Sequence, residues 1–260
     1  MRSAADYTAD AILTPRRRPA EEWEEPAAVS AVTHALPSGN VVSTWGDTGP
    51  AVLLVHGWEG RSTQFAGLIR AVVAGGRRAV AVDAPGHGRS PDGEFSPVRH
   101  GEALLEALPR FAPFDALVTH SFGSTSAFHA MRHGLAVNRM ALISPLVSLS
   151  GRLTKFAEQV GMAPAQRAEF LAVLQERLGV PVPDLDIDTL PEPAVPVLLC
   201  HDADDREVPA APTRTLAELW PNATLLLTTG LRHRRILTEP AVVKAVAAHI
   251  GCTPQRILEP

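Results

Sequence analysis

Short continuous apolar runs recur along this chain, and helically spaced or turn-forming segments separate them. Six such runs can be read from the sequence, at residues 51–55, 79–82, 116–118, 140–143, 195–200 and 223–227. A strand that is buried on both faces is apolar at every position rather than at alternate positions. Alternation of such strands with helices predicts an α/β fold, in which helices cover both faces of a mostly parallel sheet.

Two further strands are predicted ahead of the first buried run, which brings the expected sheet to about eight strands. They lie near residues 31–36 and 41–45, and Pro37-Ser38-Gly39-Asn40 between them is typical of a hairpin turn. Helices are expected over 65–73, 97–109 and 239–250, and a further helix after residue 122.

One interval, residues 146–194, interrupts the alternation because it contains no buried strand. Apolar residues near 153–160 and 170–178 are spaced for two helices, and a proline-rich stretch that we expect to be extended follows at 181–196. An insertion between two sheet strands predicts a helical cap or lid over a site, although an ordinary pair of packing helices is the alternative. The predicted organisation is an N-terminal arm (1–28), a core (29–145 and 195–260) and a cap (146–194).

The predicted arm is polar and lacks regular spacing. Three arginines at 16–18 are followed by glutamates at 21, 22, 24 and 25. A basic run can mark a binding patch, but acids this close in sequence favour a solvated arm or a strap whose charges pair with each other.

Composition excludes several functional classes. The formal net charge is −4, with 24 basic and 28 acidic residues interspersed, so we expect no nucleic-acid surface. The N-terminus lacks the apolar core of a secretory signal, and no apolar run reaches the ~18 residues of a membrane span. Cys200 and Cys252 form neither a disulfide framework nor a metal-binding pattern. We therefore expect a cytoplasmic protein without a metal or organic cofactor; its oligomeric state is not encoded in these patterns.

The pentapeptide Thr119-His120-Ser121-Phe122-Gly123 follows the apolar run 116–118 and precedes a helical segment. This strand, turn and helix place a serine at the apex of a sharp turn, where a base can reach its hydroxyl. The pattern is close to the nucleophile elbow G-x-S-x-G, with threonine in place of the first glycine. We expect the branched side chain of Thr119 to crowd the turn.

A serine hydroxyl needs a base to become a nucleophile, and the base needs an acid to orient it. Asp202, Asp204 and Asp205 follow the run 195–200, and His233 follows the run 223–227. The carboxyl ends of parallel strands meet at one edge of a sheet, so these side chains should lie beside Ser121. Three aspartates compete for the orienting role at this point.

Together with Ser121, four spaced motifs resemble those of the α/β-hydrolase superfamily, in the same order and over nearly the whole chain from residue 30. They are His56-Gly57-Trp58, which resembles the oxyanion loop, the turn at 83–90, the acid loop at 205–209 and the histidine loop at 233–237. Three positions depart from the family pattern. They are Thr119, Asp202 where glycine is common, and Arg232 where glycine usually precedes the histidine.

The resemblance implies a role for each residue. Ser121 attacks an acyl carbon, His233 takes and returns the proton, and Asp205 holds the imidazole tautomer. The backbone N–H of Phe122 stabilises the oxyanion, as elbow geometry also requires, and the family pattern adds the N–H of Trp58. Asp202 and Asp204 remain rivals of Asp205.

The implied function is that of a serine hydrolase, which cleaves a small-molecule carboxylic ester or thioester through an acyl-enzyme. An acyltransferase or a carbon–carbon hydrolase would use the same triad, and a non-catalytic ligand-binding protein would share the fold. Phe156 and Phe170 in the predicted cap suggest an apolar acyl pocket, although any packed helix pair would bury such residues. The substrate itself is not specified by the sequence.

Overall fold

A computed structural model describes residues 2–252 of the chain. Its centre is one sheet of eight strands. The strands are β1 (Val32–Ala35), β2 (Val41–Trp45), β3 (Ala51–Val55), β4 (Arg78–Val82), β5 (Phe114–His120), β6 (Arg139–Ile143), β7 (Val197–Asp202) and β8 (Ala223–Thr228). They lie in the order β1-β2-β4-β3-β5-β6-β7-β8.

The strands from β4 to β8 in this order pair in parallel, whereas β1 with β2 and β2 with β4 pair antiparallel. The predicted hairpin and the mostly parallel sheet of eight strands are therefore confirmed. The α-helices of the described residues are α1 (Ala4–Leu13), α2 (Glu25–Ser30), α3 (Ala66–Ala74), α4 (Pro97–Phe111), α5 (Phe122–Arg132), α6 (Leu149–Gln159), α7 (Pro164–Leu178), α8 (Ala211–Leu219), α9 (Arg232–Arg235) and α10 (Pro240–His249).

Burial on both faces explains the continuous apolar character of the central strands. In β3, Leu53 and Val55 pack into a core with α4, α5 and α8. Val52 and Leu54 point to the other face, where they pack with α3 and α10. Alternate side chains of one strand thus fill two cores, and neither face can carry polar residues.

This topology brings several loops to the carboxyl edge of the parallel strands. The loops after β3, β5, β7 and β8 contain residues 56–58, 121–123, 203–205 and 229–233. All the residues that the sequence singled out for catalysis therefore lie at one edge, the usual ligand crevice of open α/β sheets.

The N-terminal segment differs from the irregular arm predicted for residues 1–28. Residues 4–13 form α1, which begins with a capping box in which the Ser3 hydroxyl accepts from the Asp6 amide and the Asp6 carboxylate accepts from the Ser3 amide. Ala5, Ala9 and Leu13 recur every four residues and are buried as the helix packs against α7. The prediction missed the helix because these small apolar residues gain burial only from a distant partner.

The arginines after α1 bind the body of the protein, so the predicted self-pairing strap is wrong. Arg17 contacts Asp92 and the backbone carbonyls of the turn at 88–90. The Nε of Arg18 lies 2.7 Å from a carboxylate oxygen of Glu59. Within the described chain neither Arg17 nor Arg18 pairs with the glutamates at 21–25. The contacts of Arg17 hold the segment after α1 against the loop at 86–95.

Residues 146–194 contain α6, α7 and two short 3-10 turns, Val182–Leu185 and Ile187–Thr189. The two predicted helices are present, and the 3-10 turns take the place of part of the extended stretch expected at 181–196. The assignment of this segment as a lid stays a prediction. None of the helices between residues 2 and 252 has the length and apolar character that a membrane crossing requires.

Candidate active site

Ser121 occupies a strained turn between β5 and α5. Its φ of 54° and ψ of −126° are backbone angles that non-glycine residues rarely adopt. A Cβ at Gly123 would overlap the carbonyl oxygens of Val55 and His56, and a Cβ at Gly57 would lie 2.7 Å from that of Ser121. Close backbone approach on both sides therefore holds the serine at the sheet edge, as the elbow pattern requires.

Thr119 is accommodated in this turn. Its side chain is fully buried, and its hydroxyl lies 2.6 Å from the hydroxyl of Ser124 in the first turn of α5. A buried hydroxyl costs little when it has a hydrogen-bond partner. The threonine at the first glycine position of the pattern thus joins β5 to α5 through a side-chain hydrogen bond.

A chain of hydrogen bonds joins three of the residues that the sequence selected. The Nε2 of His233 lies 2.9 Å from the Ser121 hydroxyl, which donates to it, and the Nδ1–H donates to Asp205 at 2.7 Å. All three side chains are buried. This geometry orients the lone pair of Nε2 toward the serine proton.

Asp205 is held as a carboxylate. Burial raises its pKa, but hydrogen bonds from His201, His233 and the Val208 amide outweigh burial and bring the pKa well below the ordinary 3.8. Its second oxygen accepts from the amides of Glu207 and Val208 at 2.9 Å. An anion beside the imidazole stabilises the imidazolium that forms when His233 takes a proton.

Asp202 and Asp204 contact the backbone of the histidine loop and not the imidazole of His233. Asp202 accepts from the Thr228 hydroxyl at 2.8 Å and from the Leu231 amide at 3.0 Å, and Asp204 accepts from the Gly230 amide at 2.8 Å. The structure therefore places Asp205 alone of the three aspartates beside the histidine. The other two position the loop that carries it.

Arg232, the unusual residue before the histidine, has a φ of 60° and an exposed side chain. This left-handed conformation is one that glycine adopts at little cost, which explains why glycine suits the position. The backbone N–H of Arg232 donates to the carboxylate of Asp202, and this bond helps to lower the pKa of Asp202. Asp202 and Arg232 both replace glycine of the family pattern, and the Asp202 carboxylate thus holds the backbone of Arg232 by this hydrogen bond.

His120 also supports the histidine loop, although the sequence reasoning assigned it no contact there. Its Nε2–H donates to the carbonyl oxygen of His233 at 2.9 Å, and the two ring centroids lie 4.7 Å apart. Burial holds the pKa of His120 well below its ordinary value, so the ring is neutral. Strand alternation predicts the face on which His120 lies but not the loop that packs on that face.

Two buried histidines clamp the loop that carries the Trp58 amide. His56 donates from Nδ1 to the Gly57 carbonyl at 2.8 Å and accepts at Nε2 from the Ala84 amide at 3.0 Å. The Nε2 of His87 accepts from the Glu59 amide at 2.9 Å. Between residues 2 and 252, no protein group accepts the N–H of Trp58 or of Phe122. Both amides are therefore free to bind a ligand oxygen.

This clamp predicts a loss of stability in mild acid. Burial lowers the pKa of His56 to about 4 and of His87 to about 3, against an ordinary value of 6.5. Below pH 6.5 the unfolded chain binds protons that the folded protein excludes. The contribution of these neutral histidines to the free energy of unfolding should be complete above pH 6.5. As the pH is lowered to about 4.5, the free energy of unfolding should fall by several kcal/mol, as an order of magnitude.

Urea unfolding at pH 7.5 and pH 4.5 measures this loss. The variant His87→Gln can accept the Glu59 amide without titrating, and it should show a smaller difference between the two conditions. Equal unfolding free energies of the unsubstituted protein at the two pH values would contradict the prediction.

An apolar cavity of about 220 Å³ lies beside the elbow and under the helices of residues 146–194. Trp58 and Phe122 line it with side chains from α1, α6 and α7, and Arg152 is its one charged lining residue. The remaining lining residues are Ile12, Leu13, Phe95, Pro97, Leu149, Leu153, Phe156, Leu174 and Leu178. The sequence analysis did not predict that Ile12 and Leu13 line this cavity, because it did not predict α1, the helix that carries them.

Within residues 2–252, no group of three or more His, Cys, Asp or Glu side chains could hold a metal ion.

Comparison with known proteins agrees with this architecture. The model of the alpha/beta hydrolase family matches residues 52–246. Esterase Rv0045c of Mycobacterium tuberculosis is 35% identical over 106 residues, which are 39% of this chain and only 31% of that protein.

Two solved structures from Rhodococcus species show the same fold. Esterase RhEst1 is 19% identical with a TM-score of 0.59, and the match covers 85% of this chain and 98% of that one. A 2-hydroxy-6-oxo-6-phenylhexa-2,4-dienoate hydrolase is 20% identical with a TM-score of 0.62, and the match covers 84% of this chain and 98% of that one. Because the family model spans the six strands from β3 to β8 together with Trp58, Ser121, Asp205 and His233, the assignment does not depend on one motif. The chain belongs to the alpha/beta hydrolase family.

Proposed function

We propose that this hydrolase is a serine enzyme that cleaves a carboxylic ester or thioester through an acyl-enzyme intermediate. The observation that carries the proposal is the chain of two short hydrogen bonds from Ser121 through His233 to Asp205. A strained serine, an imidazole nitrogen beside its hydroxyl and a stabilised carboxylate in this order are the parts that acyl transfer requires.

The proposed reaction begins when His233 takes the proton of Ser121 as its Oγ attacks the substrate carbonyl carbon. The carbonyl oxygen becomes an oxyanion, which the N–H groups of Trp58 and Phe122 stabilise by about 3–4 kcal/mol for each donor. His233 then gives its proton to the leaving alcohol or thiol as the bond to carbon breaks. Water attacks the acyl-enzyme with His233 again as base, which releases the acid and restores the serine.

The apolar cavity is evidence that the acyl part of the substrate binds beside the elbow. It adjoins the two proposed oxyanion donors, and α6 and α7 of the predicted cap supply half of its lining. Apolar walls with few polar groups are typical of small-molecule sites. The names of the two esterases agree with an ester substrate, whereas the name of the dienoate hydrolase shows that a protein of this fold can also act on a dienoate.

A fluorophosphonate probe should label Ser121 covalently. The probe phosphonylates a serine, with loss of fluoride, only when a neighbouring base activates the hydroxyl, so peptide mapping after labelling reports the triad and not mere exposure. Ser126 in α5, the helix that follows Ser121, is buried and bonded to the Phe122 carbonyl, and a Ser126→Ala variant should be labelled like the unsubstituted protein. A panel of p-nitrophenyl esters from acetyl to dodecanoyl then measures the acyl preference.

An unlabelled Ser121 in folded protein would overturn the proposal and favour a non-catalytic binding protein on this fold. Labelling without turnover of any ester or thioester would instead favour the acyltransferase or the carbon–carbon hydrolase, which use the same triad on other substrates.

A further inference from the structure

A second cavity, of about 530 Å³, adjoins the apolar one at Arg152, which lines both. Its walls come from α6, from the residues just before that helix, from the loop after Asp205 and from the first turn of α8. They are Leu146, Val147, Ser148, Gly151, Arg152, Lys155, Gln159, Arg206, Glu207, Val208, Pro209 and Pro212. We call this cavity the basic groove.

Three cationic side chains line the basic groove without a protein partner. Arg152 and Lys155 lie three positions apart on α6 and therefore on one face of it, and Arg206 lies across the groove on the acid loop. Within residues 2–252, none of the three forms an ion pair or a side-chain hydrogen bond. Glu207 is the one carboxylate in the lining, and it lies 3.7 Å from Arg234 outside the groove.

Two residues that line the basic groove are hydrogen-bonded to residues of the candidate triad. The amide of Leu146 donates to the carbonyl oxygen of Ser121 at 3.2 Å, and the amide of Val208 donates to Asp205 at 2.9 Å. On the other side Phe122, the residue after Ser121, lines the apolar cavity. Residues that are bonded or adjacent to the triad thus line both the apolar cavity and the basic groove.

An ester has two parts that flank the attacked carbon, the acyl group and the leaving group. An acyl chain fits the apolar cavity, which directs the leaving group toward the basic groove. Unpaired arginine and lysine side chains favour phosphate or carboxylate, to which they donate charge-assisted hydrogen bonds. We infer that the substrate of this enzyme joins an apolar acyl group to an anionic leaving group, which Arg152, Lys155 and Arg206 bind.

This inference rests on the proposed function, and matched thioesters test it. S-octanoyl-N-acetylcysteamine has a neutral leaving group, S-octanoyl-coenzyme A carries phosphates, and S-octanoyl-N-acetylcysteine carries a carboxylate. The acyl group and the bond cleaved are the same in all three. We expect kcat/KM to be higher for one or both anionic thioesters than for the neutral one, and to fall toward it as added salt screens the groove.

Single substitutions locate the effect. In Lys155→Gln and Arg206→Gln, the ratio of kcat/KM for the preferred anionic thioester to that for the neutral thioester should fall about fivefold, mainly through KM. Arg152→Gln should act in the same direction, but it also changes the acyl cavity. Arg70 is exposed on α3 and lines neither cavity, so Arg70→Gln is the matched control and should leave the ratio unchanged.

Equal kcat/KM for all three thioesters, or ratios that Lys155→Gln and Arg206→Gln do not change, would overturn the inference while leaving the hydrolase intact. A preference for a carboxylate at the far end of the acyl chain, tested with a hemisuccinate p-nitrophenyl ester, would also overturn it. Absence of Ser121-dependent cleavage of every thioester and ester would refute the proposed function itself.

Discussion

Replacing Ser121 with alanine should reduce hydrolysis of a short p-nitrophenyl ester by about 10⁴- to 10⁶-fold while leaving the fold unchanged. The hydroxyl is the group that donates to His233, and within the described residues its oxygen makes no other side-chain hydrogen bond. Its removal therefore deletes the nucleophile, and the one side-chain hydrogen bond lost is that to the Nε2 of His233, a loss of about 1–3 kcal/mol that should leave the fold intact. Initial rates on purified protein, together with thermal unfolding, measure the two effects separately.

The matched control is Ser126→Ala, which removes another buried hydroxyl of α5. That hydroxyl donates to the carbonyl oxygen of Phe122 at 3.2 Å, and within the described residues it makes no hydrogen bond to Ser121, Asp205 or His233. Alanine is a strong helix former, so we expect the control to retain turnover and to unfold near the temperature of the unsubstituted protein. Unchanged turnover in Ser121→Ala, with the usual dependence on enzyme concentration, would remove Ser121 from the mechanism.

The central strands could be predicted from sequence because their environment is encoded locally. A residue such as Leu53 or Leu54 must be apolar whichever face it meets, since helices cover both. The continuous run at 51–55 therefore needs no tertiary information to be read as a buried strand. The turn at Ser121 was instead predicted from its motif, because the requirement for Gly123 comes from the carbonyl oxygens of Val55 and His56 at the end of another strand.

The N-terminal helix could not be predicted in this way. Ala5 and Ala9 bury little surface, and their helical spacing gains meaning only when α7 packs against them. Arg177 of α7 pairs with Asp10 of α1 across more than half the chain, a contact that no local pattern contains. Because α1 and α7 are so far apart in sequence, Ile12 and Leu13 could not be predicted as lining residues of the apolar cavity.

The orienting acid could be predicted only in part from sequence, unlike the central strands, which were predicted, and α1, which was not. The sequence placed three aspartates on the correct loop, because each follows a buried strand, but their spacing alone did not separate them. Selection depends on the direction of each side chain relative to a loop about 28 residues away in sequence. The family resemblance chose Asp205, and the structure gives Asp202 and Asp204 a different task in holding the loop at 228–232.

Replacing Asp205 with asparagine should reduce kcat by roughly 10⁴-fold. Asp205 accepts the Nδ1–H of His233 at 2.7 Å, which keeps the lone pair on Nε2 beside Ser121. An asparagine that offered its N–H₂ group would favour the tautomer with the proton on Nε2, and that nitrogen could no longer take the serine proton. The lost carboxylate also no longer stabilises the imidazolium. Steady-state kinetics with a p-nitrophenyl ester measure the loss.

The matched control is Asp202→Asn, since both carboxylates are buried and lie three residues apart at the carboxyl end of β7. An amide oxygen at 202 can still accept from the Leu231 amide, so we expect a modest change in stability and a loss of activity at least a hundredfold smaller than that of Asp205→Asn, as an order of magnitude. Equal losses in both variants would show that the loop as a whole is disturbed. A larger loss in Asp202→Asn would contradict the assignment of Asp205, because only a side chain that sets the histidine tautomer can affect the chemical step so strongly while the fold persists.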